Sequence, residues 1–276
     1  MNEKKIKKII LAYSGGLDTT VILHWLKNKY DAEVITFTAD IGQEQDEALV
    51  RKRANTIGAS KVIIEDLKER FTKDFIFPMF KGNTLYEGEY LLGTSIARPL
   101  ISQRLVEIAQ EEGADAIAHG ATGKGNDQIR FEIGSYSLNP DIEVLAPWRI
   151  WEYSSREDLV NYCKIHQIDI DASPDEPLYS TDENLLHTSY EGEILEDPSI
   201  QAPENIWNRT VSLEDAPDSS ETINLKFIKG EPVAIDDIAY SASELLEKLN
   251  EMAGRHGIGR LDLVENRFTG MKSRGC

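Results

Sequence analysis

"IILAYSGGLDTTVILHWL", residues 9–26, places a polar turn of serine, glycine and aspartate between two apolar segments. The segment before the turn is short and continuous, which is typical of a buried parallel strand, and the segment after it has helical spacing. Glycines let the backbone N–H groups of the turn approach a ligand closely, and the positive end of the following helix points to the same place. The stretch therefore predicts a strand, an anion-binding turn and a helix.

The same alternation of strand and helix continues along the chain. Further short apolar runs lie at 34–38, 62–64, 116–119 and 144–146, and the helical segments between them include 46–57 and one around 101–108. This order predicts a parallel sheet with helices on both faces, whose ligands bind at the carboxyl ends of the strands. Ser154 with Glu157 is typical of a capping box that opens a further helix. We expect a doubly wound α/β nucleotide-binding domain over residues 1–170.

The pattern changes after residue 170. Segments rich in proline, serine and acidic residues predict long ordered loops, because Ile200, Ile206 and Trp207 within them require burial. A hairpin is predicted within 223–235, followed by a helix for which Ser241 and Glu244 form a capping box. We expect an α+β domain over residues 171–276.

Composition limits the possible partners and the compartment. The chain has 276 residues with 48 acidic and 30 basic side chains, a net charge of -18, which disfavours a nucleic-acid partner. Its two cysteines, Cys163 and Cys276, give neither a disulfide framework nor a metal-ligand spacing. No apolar run approaches the roughly 18 residues of a membrane span. These features predict a cytoplasmic protein without a membrane partner.

The turn at residues 14–19 is not the common phosphate loop, because G-x-x-x-x-G-K-[ST] requires a lysine and none occurs between Ser14 and His24. Asp18 narrows the interpretation, since a carboxylate about 4 Å from a phosphate charge costs roughly 4 kcal/mol at an effective dielectric constant of 20. Asp18 is therefore expected either to cap the helix or to hold a metal ion that bridges to the phosphate. The alternative is a glycine-rich turn in which Asp18 is only an N-cap.

A second glycine-rich loop, residues 119–127, follows a predicted strand and should open at the same edge of the sheet. Thr122, Asn126, Asp127 and Arg130 supply hydroxyl, amide, carboxylate and guanidinium groups, a set that suits zwitterionic amino acids. Taken singly, they are also typical turn formers and a surface ion pair.

Five stretches together carry a resemblance to a known family. "AYSGGLDTT" (12–20) resembles the S-G-G-x-D-[ST] loop of enzymes that split ATP between the α and β phosphates. With "YEGEYLLGTSIARP" (86–99), "AHGATGKGNDQIRFE" (118–132), "STDENLLHTSYEGEILEDP" (180–198) and "GRLDLVENRFTGMKSRG" (259–275), the chain resembles the argininosuccinate synthase family. The resemblance implies ATP-dependent joining of citrulline and aspartate, with Mg²⁺, in a homotetramer. The family continues past "KSRG" with a tyrosine and a further segment, so the resemblance implies a synthase truncated at its C-terminus.

The resemblance also implies roles for individual residues. ATP would contact Ala12, Tyr13, Ser14, Gly15, Gly16, Leu17, Asp18, Thr19, Thr20, Ala39 and Gly120. Aspartate would contact Thr122, Asn126 and Asp127, and citrulline would contact Tyr90, Ser95, Asn126, Arg130, Ser180, Ser189 and Glu265. Asp18 and Asp127 are the catalytic candidates, Arg98 and Lys124 are lower-ranked phosphate partners, and no separate metal-ligand set is assigned.

Two other functions share the first loop. A tRNA-thiolating enzyme would need reactive cysteines and a basic surface, whereas this chain has two cysteines and a large negative charge. A nucleotide-binding module without catalysis would leave the second loop and residues 180–189 without a purpose.

Overall fold

The computed structural model describes residues 5–122, 125–170, 179–267 and 270–275. They belong to two compact units that interleave along the chain. The first unit takes its residues from Met1–Asp40, Glu44–Asp66 and Ser95–Pro174, and the second from Ile41–Gln43, Leu67–Thr94 and Asp175–Cys276.

The first unit contains a parallel sheet of five strands in the order β3-β2-β1-β4-β5. The strands are β1 Lys8–Ala12, β2 Glu33–Asp40, β3 Lys61–Asp66, β4 Ala116–Ala118 and β5 Glu143–Leu145. The helices are α1 Leu17–Tyr30, α2 Glu47–Ile57, α6 Asp127–Leu138 and α7 Arg156–Ile165, together with α5 Gly93–Glu112 from Ser95 onward. The strand order reverses direction at β1, so the doubly wound α/β prediction is confirmed.

The central strand β1 is buried on both faces, because Ile9, Ile10 and Leu11 are all fully inaccessible. Helix α1 packs Val21 and Leu26 into the same core. Fully burying one such side chain stabilises the fold by roughly 1.5–3 kcal/mol. The turn between β1 and α1 is therefore held between two rigid elements.

The predicted ends of α2 are confirmed. The Asp46 side chain accepts a hydrogen bond from the Leu49 N–H (3.0 Å), and Gly58 ends the helix at a φ of 92°. The predicted capping box at Ser154 and Glu157 is wrong by one residue, because Ser155 and Asp158 form it. The Asp158 carboxylate accepts from the N–H groups of both serines, but the Asp158 N–H donates to the Ser155 hydroxyl oxygen at 3.1 Å, which makes Ser155 the N-cap.

The second unit combines antiparallel sheets with helices, which confirms the α+β prediction. One sheet has the order β11-β12-β7-β6 and the other the order β10-β9-β8. Their strands are β6 Ser180–Glu183, β7 Thr188–Glu191, β8 Leu225–Ile228, β9 Glu231–Ile235, β10 Ile238–Ala239, β11 Leu263–Arg267 and β12 Gly270–Gly275. The helices are α3 Lys68–Phe71, α4 Phe77–Lys81 and α8 Ala242–Arg255, with a π-helical segment Thr72–Ile76 between the first two.

The predicted hairpin is β8–β9, and Ser241 with Glu244 forms the predicted capping box of α8. The Glu69 carboxylate accepts further hydrogen bonds from the N–H groups of Ala242 and Ser243. Burial by itself raises the pKa of Glu69, but the hydrogen bonds from Lys73 and Ser243 outweigh it and lower that pKa to about 2. The start of α8 is thus satisfied by two carboxylates.

Burial of the long loops agrees with the prediction at Ile206, which is 1% exposed, and Trp207 is half-buried. The prediction is wrong for Ile200, which is 39% exposed. Ile200 lies in a turn in which its N–H donates to the Asp197 carbonyl, and this geometry leaves the side chain in solvent. In the part of the chain that the structure describes, helices fall short of the length and apolarity that crossing a bilayer demands.

Candidate functional site

The first candidate site is the turn from β1 to α1, which two hydroxyl side chains clasp. The Ser14 and Thr19 hydroxyl oxygens lie 3.1 Å apart, and the Ser14 N–H donates to the Thr19 hydroxyl oxygen at 3.3 Å. The Gly16 N–H donates to the Ser14 hydroxyl oxygen, also at 3.3 Å. Gly15 has a φ of 79°, a conformation that favours glycine. The turn is therefore closed and shaped before any ligand arrives.

Helix α1 begins at this turn without a side-chain cap. Its N-cap residue is Gly16, which has no side chain to satisfy the first N–H groups of the helix. Asp18 stands at the second helical position and not at the N-cap, so the alternative in which Asp18 is a plain N-cap does not match the structure. Helix N–H groups and the positive end of the helix dipole remain directed at the turn, which favours an anion there.

Two neighbouring strands supply the remaining edge of this site. Ala39 is the penultimate residue of β2, and Gly120 follows the end of β4; these two strands flank β1. A Cβ atom added to Gly120 would lie 3.2 Å from Thr19 Cγ2, which is tighter than most real contacts. The residues predicted to bind ATP, from Ala12 to Thr20 with Ala39 and Gly120, thus gather at the carboxyl edge of the sheet.

The second loop ends in a carboxylate held between two guanidinium groups. Asp127 begins α6, and its two oxygens accept from Arg98 Nε at 2.9 Å and from Arg130 Nη1 at 2.7 Å. All three side chains are partly buried, which strengthens such pairs relative to exposed ones. Thr122 and Asn126 are exposed beside them, and Lys124 lies outside the described residues.

Sequence reasoning missed His119, which lies between β4 and Gly120. The side chain is 1% exposed and stacks on Phe131, with ring centroids 4.9 Å apart. Its Nδ1 accepts from the Ala121 N–H at 3.2 Å. Burial, with a smaller effect of Arg149, lowers the pKa of His119 to about 4, so the ring is neutral at pH 7.

Three of the residues predicted to bind citrulline lie together in the second unit. The Tyr90 hydroxyl donates to the Ser189 hydroxyl oxygen at 3.0 Å. Ser189 in β7 pairs with Asp182 in β6, so Ser180, two residues from Asp182, projects on the same face of the sheet as Ser189. The hydroxyl cluster thus consists of the hydrogen-bonded Tyr90 and Ser189, with Ser180 on the same face of the sheet as Ser189.

Sequence reasoning also missed His187, which contacts Tyr90 of this cluster. Its ring contacts the Tyr90 ring at a centroid distance of 5.4 Å, and its Nε2 accepts from the Thr94 N–H at 3.3 Å. Burial, with a smaller effect of Arg209, lowers the pKa of His187 to about 4, which keeps Nε2 an acceptor. His187 thus contacts both Tyr90 and Thr94, which belong to the second unit as His187 does.

Ser95 and Glu265, also predicted to bind citrulline, lie on a helix and a strand respectively. Ser95 is a half-buried residue of α5. Glu265 lies in β11 opposite Ser273 in β12, and its side chain is outside what the structure describes.

Mg²⁺ was predicted from Asp18. Among the described residues, no three His, Cys, Asp or Glu side chains converge as a metal site. Mg²⁺ bound with a nucleotide commonly uses one or two carboxylates together with phosphate and water oxygens, so a single aspartate in the first turn of α1 fits this mode of binding.

A doubly wound parallel sheet with an anion-binding turn after its central strand defines the class of α/β nucleotide-binding proteins. Comparison with known families makes the assignment specific. Residues 8–169 match the profile described as the arginosuccinate synthase N-terminal HUP domain, and residues 179–276 match the arginosuccinate synthase C-terminal domain.

Curated relatives agree with these profiles. The argininosuccinate synthase of Nitrosospira multiformis is 58% identical over 277 residues, which cover 100% of this chain and 68% of the relative. That of Dinoroseobacter shibae is 60% identical over 271 residues, covering 98% of this chain and 66% of the relative. The chain belongs to the argininosuccinate synthase family, a family of ligases of arginine biosynthesis. It spans about two thirds of the length of these relatives.

Proposed function

We propose that the protein joins L-citrulline and L-aspartate at the expense of ATP, giving argininosuccinate, AMP and diphosphate. The observation that carries the proposal is the clasped turn at residues 14–19, which lies at the carboxyl edge of a parallel sheet and lacks the lysine of the common phosphate loop. Family membership supports the choice of the two amino acids.

The reaction needs activation because the carbon of a ureido group is a poor electrophile. In the first step the ureido oxygen of citrulline attacks the α-phosphorus of ATP, and the bond to the β-phosphate oxygen breaks. Diphosphate leaves with the bonding electron pair, and citrullyl-adenylate forms. In the second step the aspartate amine attacks the activated carbon, AMP departs with the bonding electron pair, and the proton lost by the amine passes to solvent water.

The protein contributes mainly position and charge stabilisation in this mechanism. The turn at 14–19 and the start of α1 would bind the phosphates that become diphosphate, because the first N–H groups of α1 have no side-chain cap and the positive end of the helix favours an anion. The other residues proposed to contact ATP are Ala12, Tyr13, Thr20, Ala39 and Gly120. A side chain at position 120 would crowd Thr19, so glycine at this position keeps the edge of the site open for a ligand.

Asp127 is proposed to position and not to deprotonate. Both of its oxygens already accept hydrogen bonds from guanidinium groups, so a proton would have to displace Arg98 or Arg130. Held in this way, Arg130 presents donors to the citrulline carboxylate, while Asp127 with Thr122 and Asn126 receives aspartate. Asn126 is proposed to contact both amino acids.

The hydroxyl cluster of Tyr90, Ser180 and Ser189 is proposed to contact citrulline, together with Ser95 and Glu265. A hydroxyl group donates and accepts, so a cluster of them can satisfy a polar, uncharged ligand. The Tyr90 hydroxyl is already oriented by Ser189, which reduces the entropy lost on binding.

Asp18 is proposed to hold Mg²⁺ with the phosphates. When bound, Mg²⁺ neutralises phosphate charge. Without it, the carboxylate in the first turn of α1 would repel the nucleotide.

The remaining proposals concern organisation. We infer a division near residue 170, a homotetramer and a cytoplasmic protein without a nucleic-acid partner. The thiolase alternative is disfavoured because Cys163 is buried, and burial raises the pKa of its thiol.

Isothermal titration of the protein with ATP, citrulline and aspartate tests the proposal. All three should bind, with citrulline tighter when ATP is present. If ATP binds but neither citrulline nor aspartate does, the result would favour a nucleotide-binding module without catalysis.

A further inference from the structure

Two side chains of the segment 45–53 hold carbonyl groups of the phosphate-binding turn. The Gln45 Nε2 donates to the Ser14 carbonyl oxygen at 2.8 Å, and Arg53 Nη1 donates to the Gly15 carbonyl oxygen at 2.9 Å. Gln45 precedes α2 and Arg53 lies within it. The carbonyl groups of Ser14 and Gly15 therefore both point toward the segment 45–53.

These two hydrogen bonds also determine the direction of the N–H groups that follow the bound carbonyls. In a trans peptide the carbonyl oxygen and the following N–H point in opposite directions. Fixing the carbonyls of Ser14 and Gly15 toward α2 directs the N–H groups of Gly15 and Gly16 the other way. The Gly16 N–H, which donates to the Ser14 hydroxyl oxygen at 3.3 Å, would exchange that long bond for one to the anion. Successive N–H groups that point to the same side form an anion-binding concavity.

Arg53 also brings a positive charge to a turn that has no lysine. In the described part of the chain Arg53 makes no ion pair with a carboxylate, although the protein carries 48 acidic residues. Its charge acts on the residue next to the turn. Burial raises the pKa of Tyr13, and the hydrogen bond with Thr20 and the charge of Arg53 offset part of that rise. A guanidinium has five N–H donors, and the bond to Gly15 uses one of them.

We propose that Arg53, assisted by Gln45, is a positioning residue for the leaving diphosphate. It fixes the direction of the loop N–H groups and adds a positive charge behind the turn, which attracts the phosphates through its electric field and not by direct contact. This inference rests on the proposed function, because it concerns the same phosphate site.

The chain offers a matched control for Arg53 on the same helix. Arg51 Nη1 donates to the Val62 carbonyl oxygen at 3.2 Å. Both arginines therefore lie on α2 and donate to a backbone carbonyl outside that helix. Only the carbonyl bound by Arg53 belongs to the phosphate-binding turn. Arg53→Met and Arg51→Met remove the same charge and keep good helix formers.

The test is calorimetric titration of the wild type and these variants with ATP, sodium pyrophosphate and adenosine. Arg53→Met should weaken ATP and pyrophosphate by about tenfold, and Arg51→Met by less than about twofold, with adenosine unchanged in both. Arg53→Lys should recover most of the pyrophosphate affinity, because it restores the charge. If Arg53→Met does not fold, the comparison of Arg53→Lys with the wild type still tests the inference.

Two results would overturn the inference while the proposed function stands. One is an equal loss of pyrophosphate affinity in Arg53→Met and Arg51→Met. The other is a loss of adenosine affinity in Arg53→Met as large as the loss for pyrophosphate, which would indicate general disruption. A wild type that binds neither ATP nor pyrophosphate would instead refute the proposed function.

Discussion

The buried histidine at the edge of the sheet should make the stability of the protein sensitive to mild acid. His119 is 1% exposed, and burial lowers its pKa from 6.5 to about 4. Between these values the unfolded chain binds a proton that the folded chain excludes, so the free energy of unfolding falls as pH falls. The contribution is fully present above about pH 6.5 and is lost progressively as pH approaches about 4. At about 1.4 kcal/mol per pH unit, the fall from pH 7 to pH 5 costs roughly 2 kcal/mol.

His119→Gln removes this titration. Urea unfolding of the wild type and His119→Gln at pH 7 and pH 5 measures the difference, since other groups titrate alike in both proteins. The wild type should lose roughly 2 kcal/mol more than the variant over this range. The ring proton of His119 should also titrate near pH 4 by NMR. Equal losses in both proteins, or titration of the ring near pH 6.5, would refute the burial argument.

Three further predictions concern the proposed ligands. Asp18→Asn should reduce ATP turnover by at least about tenfold while leaving the thermal unfolding of the nucleotide-free protein nearly unchanged; an equal loss of thermal stability would favour a structural role. Arg130→Ala should weaken citrulline use, and Asp127→Ala should weaken aspartate use and, through the lost ion pair with Arg130, citrulline use as well. For citrulline the double variant should lose less than the sum of the single variants; additive losses measured by KM would contradict this coupling. Tyr90→Phe should weaken citrulline binding by about tenfold and leave ATP binding unchanged, as calorimetry can show; a comparable loss for ATP would count against the hydroxyl cluster.

Local patterns in the sequence predict much of the first unit. The apolar run before Ser14 gives β1, and Asp46 with Gly58 marks both ends of α2, because capping depends on residues within one helical turn. The capping box at residues 154–158 shows the limit of such patterns, since two adjacent serines compete for one carboxylate. Local spacing does not decide which serine begins the helix.

Long-range contacts explain what the sequence does not predict. Arg98 lies 29 residues from Asp127, and the bond between His187 and Thr94 spans 93 residues, so neither pair leaves a periodic signal. The residues next to His119 and His187 in the sequence give no sign of which hydrogen bonds these rings make. The assignment of residues 67–94 to the second unit also depends on tertiary contacts alone.

The central claim is that the ureido oxygen of citrulline attacks the α-phosphorus of ATP while the turn at 14–19 holds the leaving diphosphate. Mass spectrometry of the nucleotide formed from ATP, aspartate and citrulline labelled with ¹⁸O in the ureido group tests it directly. The account predicts AMP that carries one ¹⁸O atom in its phosphate, together with unlabelled diphosphate. ADP as the nucleotide product, or AMP without the label, would contradict it.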